Sequence, residues 1–495
     1  MIELSARTRE RNLELMADGP LDVLVVGGGI VGAGVALDAA SRGLTVALVE
    51  KDDFASGTSG RSSRMIHGGA RYLRRGEFKL VYESLRERGV LLRIAPHLVR
   101  PIPFVTPLRR VRDRLPIGVG LTLYDALAMG RNIASHRRVG EEEVVRLAPG
   151  LRPSPGYVYW DCRTDDARLV IEIIRRAARQ GALVTNHAEV VGLLGDGSVR
   201  GARVAASDRS LEIQARVTVN ATGVWADRVH ALADPNTPRL RPSKGVHLVF
   251  DRARLPIRSA VAVPSLVAYG SFFVLIPWGP RVYVGPTDTP YEGSIEDPTV
   301  EPDDVSVILA SLERAFQGAV TEADVLATWS GVRPLLDSGP GETRDLSRRH
   351  VVLDGPPGLI TVTGGKLTTY RSIAEQVVDR ACRLLRRGGR ARTAHLPLGL
   401  TQPFGVAVGL AEEAVGAIGL APGAGRRLVE RYGDDWEEVT GRIRSDRVLG
   451  DPVVEGLPVL NVELELARQR EMALTEEDVL VRRTRLALMG SAVRS

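Results

Sequence analysis

The chain has 495 residues, of which 44% are hydrophobic and 25% are charged, as in an ordinary soluble globular protein of two or three domains. Its formal net charge of +6, from 66 basic and 60 acidic residues, suits anionic ligands and is too small to indicate a nucleic-acid-binding protein. The two cysteines, Cys162 and Cys382, form no C-x-x-C pair, which argues against a disulfide framework and a cysteine-rich metal site.

We expect no export signal at the start of this sequence. The first twenty residues are rich in Arg and Glu and lack an apolar stretch, so we expect a cytoplasmic protein. No later segment has about eighteen uncharged apolar residues in a row. We therefore expect no membrane span, and peripheral attachment stays open.

A glycine-rich segment, LVVGGGIVGAGVALDAASRGLTVALVE (residues 24–50), predicts a strand, a tight turn, a helix and a second strand. Gly27, Gly29 and Gly32 have the G-x-G-x-x-G spacing, which permits the turn, the approach of a pyrophosphate and close packing of helix on strand. Glu50 ends the second strand, where a carboxylate can accept hydrogen bonds from ribose hydroxyls. The motif predicts a dinucleotide-binding unit and does not separate FAD from NAD.

The rest of the chain predicts further elements. Residues 168–180 have the spacing of an amphipathic helix, and the apolar runs in 183–220 and 244–290 predict strands, the latter in an antiparallel sheet. Residues 359–385 repeat the strand, glycine turn and helix of the first motif, so the nucleotide domain is predicted to be discontinuous.

We therefore predict a fold of the α/β and α+β classes with three domains. The first is a discontinuous Rossmann-like dinucleotide-binding domain of residues 1–100, 156–237 and 345–390. The second is an antiparallel-sheet substrate domain of residues 101–155 and 238–344. The third is a C-terminal helical domain of residues 400–495.

Five segments are more specific than the glycine motif: SGTSGRSSRMIHGGARYL (56–73), NATGVWAD (220–227), KGVHLV (244–249), WSGVRPL (329–335) and GGKLTTYR (364–371). Through them the chain resembles the FAD-dependent, quinone-linked sn-glycerol-3-phosphate dehydrogenases of the glycine/D-amino-acid oxidase fold group. The resemblance runs from about residue 20 to near the C-terminus. It departs at Pro286, where the family commonly has threonine, and at Arg64, where lysine is usual.

The resemblance implies FAD as the cofactor and oxidation of sn-glycerol 3-phosphate to dihydroxyacetone phosphate, a step of glycerol metabolism. It also implies a quinone as electron acceptor and peripheral contact with the inner face of the cell membrane. A homodimer stays open. The alternatives are a glycerol-3-phosphate oxidase that makes hydrogen peroxide, a D-amino-acid or glycine oxidase, and a flavin-binding protein without turnover.

The resemblance also assigns substrate-binding residues. Arg71, Arg333 and Arg344 match arginines around the phosphate end of the family's ligand, and the planar guanidinium of arginine suits phosphate because it donates two parallel hydrogen bonds. Tyr72 either adds a hydroxyl donor or is a half-buried ring.

Oxidation of an alcohol needs a base for the hydroxyl proton, and His67 and His247 both lie in family motifs. We expect base, substrate-binding or positioning roles for them, and the sequence does not rank the two. Arg333 is a further catalytic candidate. Lys366 follows a Gly-Gly turn, where it could stabilise negative charge on the flavin.

The remaining predicted cofactor contacts come from loops that match the family. They are Ser56, Thr58, Ser62, Ser63, Gly223, Asp227, Gly364, Gly365, Lys366, Leu367 and Thr368. Helix capping is the alternative role for Asp227, Thr368 and Thr369, and simple turn formation is the alternative for the serine-rich loop.

Two stretches combine arginines with apolar residues, as interfacial membrane segments do. They are residues 108–124, with Arg109, Arg110, Arg112 and Arg114, and residues 479–488, with Arg482, Arg483 and Arg485. A surface helix packed on a protein core has the same pattern, so both interpretations remain open.

Overall fold

The structure, a computed structural model, describes residues 2–108, 113–206, 208–234, 240–266, 272–318, 320–337 and 349–490. Its first sheet holds the predicted dinucleotide motif. The strands are β1 (Leu21–Val26), β2 (Val46–Val49), β7 (Leu183–Thr185), β8 (Glu189–Leu193), β9 (Gly201–Ala206), β10 (Arg209–Asn220), β17 (His350–Asp354) and β18 (Leu359–Gly364). The order across the sheet is β17-β18-β10-β1-β2-β7, and β8 and β9 extend it from β10.

The centre of this sheet is parallel because helices connect its strands. Strands β18, β10, β1, β2 and β7 are parallel neighbours, and β17 runs antiparallel beside β18. Val23 and Val25 pack against the core that holds α2 (Ile30–Ser41), α6 (Asp166–Arg179) and α9 (Tyr370–Leu385). Leu24 and Val26 face the opposite side, which α1 (Ala6–Ala17) covers. Both faces are therefore buried, which explains the continuous apolar run of β1.

The second sheet is mostly antiparallel, as predicted for residues 244–290. Its strands are β3 (Met65–Ile66), β4 (Arg100–Pro107), β5 (Arg137–Val139), β6 (Gly156–Arg163), β11 (Leu240–Asp251), β12 (Ala260–Pro264), β13 (Phe272–Trp278), β14 (Arg281–Gly285), β15 (Thr289–Pro290) and β16 (Val325–Leu336). The order is β15-β11-β14-β13-β12-β4-β6-β3, with β16 paired to β11 and β5 to β6.

Further helices lie along the chain between strands of the two sheets. They are α3 (Phe78–Ile94), α4 (Arg114–Leu127), α5 (Glu141–Leu147), α7 (Ala226–Ala231) and α8 (Pro302–Ala315). Strands β3 and β6 lie in segments that we predicted to be nucleotide-binding, yet they pair with each other and β6 pairs with β4. The sheet that a strand joins is decided by a distant hydrogen-bonding partner, which no local pattern shows, so the three-domain division stays a prediction.

The C-terminal helices are α10 (Phe404–Ala417), α11 (Ala424–Tyr432), α12 (Trp436–Ser445) and α13 (Asn461–Arg470). They cover the charged face of α6, the helix predicted at residues 168–180. Arg175 Nη1 lies 2.8 Å from Glu172 Oε2, and Arg168 pairs with Glu471; all four side chains are buried. Within the described part of the chain, no helix is both long and apolar enough to cross a bilayer.

Candidate active site

Three glycine-containing turns meet at one edge of the first sheet. Strands β1, β10 and β18 are adjacent and parallel, so the turns after their carboxyl ends converge, as they do in nucleotide-binding folds. These turns begin at Gly27, Gly223 and Gly364. Thr363 Oγ1 donates to the Gly223 oxygen at 3.3 Å, which joins two of the turns.

The first turn has the geometry that its glycines predict. Gly27 has φ +109°, and a Cβ there would lie 2.7 Å from the Ala221 oxygen. A Cβ on Gly32 would lie 1.9 Å from the Gly27 oxygen, so α2 can pack on β1 only without a side chain at this position. Gly29 is the N-cap of α2, and because it has no side chain an anion can approach the N-terminus of this helix.

Glu50 braces this turn. Its Oε2 accepts from the Gly28 amide at 2.6 Å, and Oε1 accepts from the Asp52 amide at 3.0 Å. Burial raises the pKa of Glu50 to about 6, although both amides oppose the change. The carboxylate therefore lies at the end of β2, where a ribose would bind.

Most hydroxyl groups of the serine-rich loop form hydrogen bonds to other residues of the protein. Ser62 Oγ donates to Asp166 Oδ2 at 2.7 Å, Thr58 Oγ1 donates to the Val332 oxygen at 2.5 Å, and the Ser56 amide donates to the Asp53 oxygen at 3.1 Å. Ser59, which we did not single out, accepts from the Ile30 amide at 2.9 Å and lies at the N-terminus of α2. Its position in the same serine-rich motif could have identified it as a candidate cofactor contact.

Lys366, Tyr72 and Arg71 form a cluster beside the Gly364-Gly365 turn. Lys366 Nζ lies 4.0 Å from the centre of the Tyr72 ring and donates to Ser84 Oγ at 3.2 Å. Arg71 Nη2 donates to the Tyr72 hydroxyl at 3.1 Å. Burial, with a contribution from Arg71, lowers the pKa of Lys366 to about 8.

His67 is next to this cluster. Its amide donates to Thr368 Oγ1 at 3.0 Å, and the Thr368 hydroxyl lies 3.2 Å from the His67 oxygen. Burial and the charges of Lys366, Arg71 and Arg88 lower the pKa of His67 to about 3, so its imidazole is neutral. Thr369 occupies the N-cap position of α9 without a side-chain cap hydrogen bond, and Thr368 instead fixes the His67 peptide.

His247 is enclosed rather than open. Its Nε2 lies 3.0 Å from Ser63 Oγ, and its ring stacks on Trp329 at 4.6 Å with an angle of 12°. Only 2% of the residue is exposed. Desolvation first, and then Arg333 and Arg64, lower the pKa of His247 well below its ordinary value.

Arg333 comes from β16, on the strand pair that carries His247. A Cβ on Gly245 would lie 2.3 Å from Arg333 Nη2, so this glycine makes room for the guanidinium. Arg333 Nη2 donates to the Thr287 oxygen at 3.2 Å, and Nη1 lies 3.4 Å from Asp288 Oδ1. Tyr72, and less strongly Asp288, raise the pKa of Arg71.

The other predicted site residues differ in where the structure places them. Gly364 and Gly365 have φ +77° and +86° in the turn before Leu367. Asp227 Oδ2 accepts from the Leu240 amide at 2.8 Å, a structural bond that was not expected. Arg344 lies outside the described residues.

Comparisons with known proteins identify the family of this arrangement. The family described as FAD dependent oxidoreductase matches residues 22–371, and the C-terminal domain of alpha-glycerophosphate oxidase matches residues 387–494. "Glycerol-3-phosphate dehydrogenase 2" of Mycobacterium tuberculosis is 40% identical over 477 residues, 94% of this chain and 81% of the relative. The chain belongs to the FAD-dependent glycerol-3-phosphate dehydrogenase family.

Solved structures agree with this assignment. The glycerol-3-phosphate dehydrogenase from Bacillus halodurans complexed with FAD has a TM-score of 0.79 and 31% identity, covering 97% of this chain and 89% of its own. L-alpha-Glycerophosphate Oxidase from Mycoplasma pneumoniae with FAD bound shares the fold, with a TM-score of 0.60 and 19% identity over 78% of this chain and all of its own. The predicted fold class and the family resemblance are therefore confirmed.

FAD as the cofactor is also confirmed for this member of the glycerol-3-phosphate dehydrogenase family. The chain's own residues fit it. The first turn has no side chain at Gly27, Gly29 or Gly32, the N-terminus of α2 points at the position for a pyrophosphate, and Glu50 lies at the end of β2.

For residues 479–488, packing on the protein core is the correct interpretation of the two, and membrane contact is wrong. Arg482 Nε lies 2.7 Å and Arg483 Nη1 lies 2.6 Å from Asp53 Oδ2, and Arg485 pairs with Asp165 and Asp166. These arginines are buried in ion pairs because the C-terminal segment folds back onto the nucleotide domain. In the other stretch, Arg109, Arg110 and Arg112 lie outside the described residues.

Proposed function

We propose that the protein oxidises sn-glycerol 3-phosphate to dihydroxyacetone phosphate and passes the electrons to a membrane quinone. The observation that carries the proposal is the cluster of Arg71, Tyr72 and Lys366 beside His67, at the sheet edge where the dinucleotide turns meet. When bound, FAD accepts a hydride from the substrate carbon and passes on two electrons. The names of the relatives support the substrate.

Arg71 and Arg333 would bind the substrate phosphate. Tyr72 and then Asp288 raise the pKa of Arg71, and the contacts of Arg333 to Thr287 and Asp288 are long, at 3.2–3.4 Å. A dianionic phosphate makes shorter, charge-assisted bonds and would therefore compete well for these donors. Arg344 remains a predicted third member of this pocket.

Lys366 is the base that the geometry supports best. With its pKa near 8, about one lysine in ten is uncharged at pH 7, and an uncharged Nζ can take the proton of the substrate hydroxyl. After the transfer, the charged Nζ remains at the turn that holds the cofactor. Lys366 thus serves as base and as the cation we predicted.

The two histidines receive other roles. His67 has a pKa of about 3, so its neutral ring can donate or accept a hydrogen bond and is a weak base. His247 is almost fully enclosed, and its Nε2 already contacts Ser63. We assign His67 to orienting the substrate and His247 to fixing the loop that contains Ser63.

An apolar helix face supports the membrane part of the proposal. In α4, Leu115, Val119 and Leu123 recur every four residues and are 75%, 60% and 36% exposed. Arg114, at the start of the helix, is also exposed. The helix contacts residues 70–75, which include Arg71 and Tyr72. A lipid surface docked on this face would bring a quinone close to the active site.

Turnover in lipid vesicles tests the proposal. The FAD-loaded protein, given sn-glycerol 3-phosphate and a quinone, should form dihydroxyacetone phosphate and quinol in equal amounts. One hydrogen peroxide per product in air, with the quinone left oxidised, would instead establish the oxidase reaction. The variant Leu115→Glu/Val119→Glu should lose binding to anionic vesicles, whereas Leu326→Glu, at another exposed apolar residue, should keep it.

A further inference from the structure

Arg64 combines two features that a protein rarely tolerates together. Its backbone has φ +53°, in the left-handed region that residues other than glycine seldom adopt. Its side chain is also buried, with 2% exposed. Strain and a buried charge both oppose folding, and strained residues cluster at functional sites.

The guanidinium of Arg64 has no hydrogen bond among the described residues. Its Nε, Nη1 and Nη2 are all buried without a partner. The nearest carboxylate is Asp166, whose Oδ1 lies 3.8 Å from Arg64 Nε and already pairs with Arg485. Native proteins satisfy almost all buried polar groups, so an exception of this size needs an explanation.

Aromatic rings surround this cation. The Arg64 Cζ lies 4.1 Å from the ring centre of Trp278, 4.6 Å from that of Trp329 and 5.6 Å from that of Tyr283. The Trp329 indole is the one that stacks on His247. We call these three rings the aromatic box of Arg64. The Tyr283 hydroxyl donates to the Ser63 oxygen at 3.1 Å, so the box contacts Ser63, whose hydroxyl lies next to His247 Nε2.

The C-terminal segment holds Arg64 in this box. Arg485 donates to the Gly60 oxygen at 3.1 Å and pairs with Asp166. The same Asp166 accepts from the Ser62 amide at 2.9 Å, and the Arg64 amide donates to Ser62 Oγ at 3.0 Å. The loop that precedes Arg64 is therefore fixed by a residue more than four hundred positions away in the sequence.

We propose that Arg64 is a positioning residue: a cation held next to the His247–Trp329 stack, where it fixes the imidazole and the Ser63 loop for the reaction. Among the described residues, the charges of Arg333 and Arg64 both disfavour the protonated form of His247. A neutral imidazole can accept a hydrogen bond from the Ser63 hydroxyl, whereas a protonated one cannot. The proposal rests on the proposed function for its kinetic part only.

The test compares Arg64→Met, which removes the charge at similar length, with Arg64→Lys, which keeps a charge. A buried cation that has no hydrogen bond among the described residues and only a carboxylate 3.8 Å away is costly, so Arg64→Met should leave the Tm of the FAD-loaded protein unchanged or raise it by ~1–3 °C. The matched control is Arg175→Met. Arg175 is buried between Glu172 and Asp435, so its loss should lower the Tm.

The second readout is the titration of His247, followed by NMR of protein with labelled histidine, with His247→Gln identifying the signal. Arg64→Met should move the midpoint to higher pH, and Arg64→Lys should restore it. Flavin reduction by sn-glycerol 3-phosphate should slow about tenfold in Arg64→Met, as expected for a misplaced group.

An unchanged His247 midpoint in Arg64→Met would overturn the proposal, whatever happens to the rate. A fall in Tm as large as that of Arg175→Met would also overturn it, because Arg64 would then be an ordinary structural residue. If the wild-type flavin is not reduced by sn-glycerol 3-phosphate, the proposed function fails, while the Tm and the titration still test Arg64.

Discussion

The pH dependence of flavin reduction follows directly from Lys366. Burial lowers the pKa of this lysine from 10.5 to about 8, so about one in ten is uncharged at pH 7, against about one in three thousand at the ordinary pKa. A base acts in its uncharged form. The reduction rate should therefore rise about tenfold from pH 6 to pH 7 and level off above pH 8.

Stopped-flow measurement of flavin bleaching at saturating sn-glycerol 3-phosphate, from pH 6 to pH 9, gives this profile. Lys366→Met should slow bleaching by about 10²–10⁴-fold and remove the acid limb. Lys366→Arg is the decisive control, because arginine keeps the charge and does not release a proton in proteins. If K366R bleaches at the wild-type rate, or if the wild-type profile is flat, Lys366 is not the base.

Three further substitutions test the structure around the site. Asp53→Asn removes the buried carboxylate that Arg482 and Arg483 share and leaves Asp478 and Glu471 as their other buried carboxylates, which should cost ~1.5–3 kcal/mol and lower the Tm measured by calorimetry; an unchanged Tm would show that the C-terminal clamp contributes little. Gly32→Ala places a Cβ 1.9 Å from the Gly27 oxygen, so the purified protein should lose most of its flavin absorbance, and full FAD content would contradict the turn geometry. Glu50→Gln presents an amide NH₂ group to one of the two amides that Glu50 now binds, so FAD should dissociate more readily on dialysis; equal retention would remove Glu50 from the cofactor site.

The dinucleotide half of the fold was predictable because its signals are local. The glycines, the apolar strands and the acid at the end of β2 lie within residues 24–50, and each has one steric role. The helix at residues 168–180 was predictable for the same reason. Its buried charged face was not, because Arg175 becomes buried only through a partner at Asp435.

The sequence predicted which residues belong to the site, but it did not predict the role of each one. The family motifs pointed to His67, His247 and Lys366 together, but only the packing shows that His247 is enclosed and that burial lowers the pKa of Lys366. The sequence showed only that Arg64 replaces a lysine. Its aromatic box could not be predicted, because Trp278 and Trp329 lie on strands far from Arg64 in the sequence. Such effects depend on tertiary neighbours that no local pattern encodes.

The most direct test of the active-site assignment is anaerobic. The FAD-loaded protein is mixed with sn-glycerol 3-phosphate, and the absorbance of oxidised flavin is followed, with glycerol and D-alanine as separate controls. Bleaching by the phosphate ester alone is the predicted result, because the arginines would bind the phosphate and Lys366 would take the hydroxyl proton. Stable flavin absorbance with the phosphate ester, or equal bleaching by glycerol or D-alanine, would contradict the proposed substrate and its phosphate pocket.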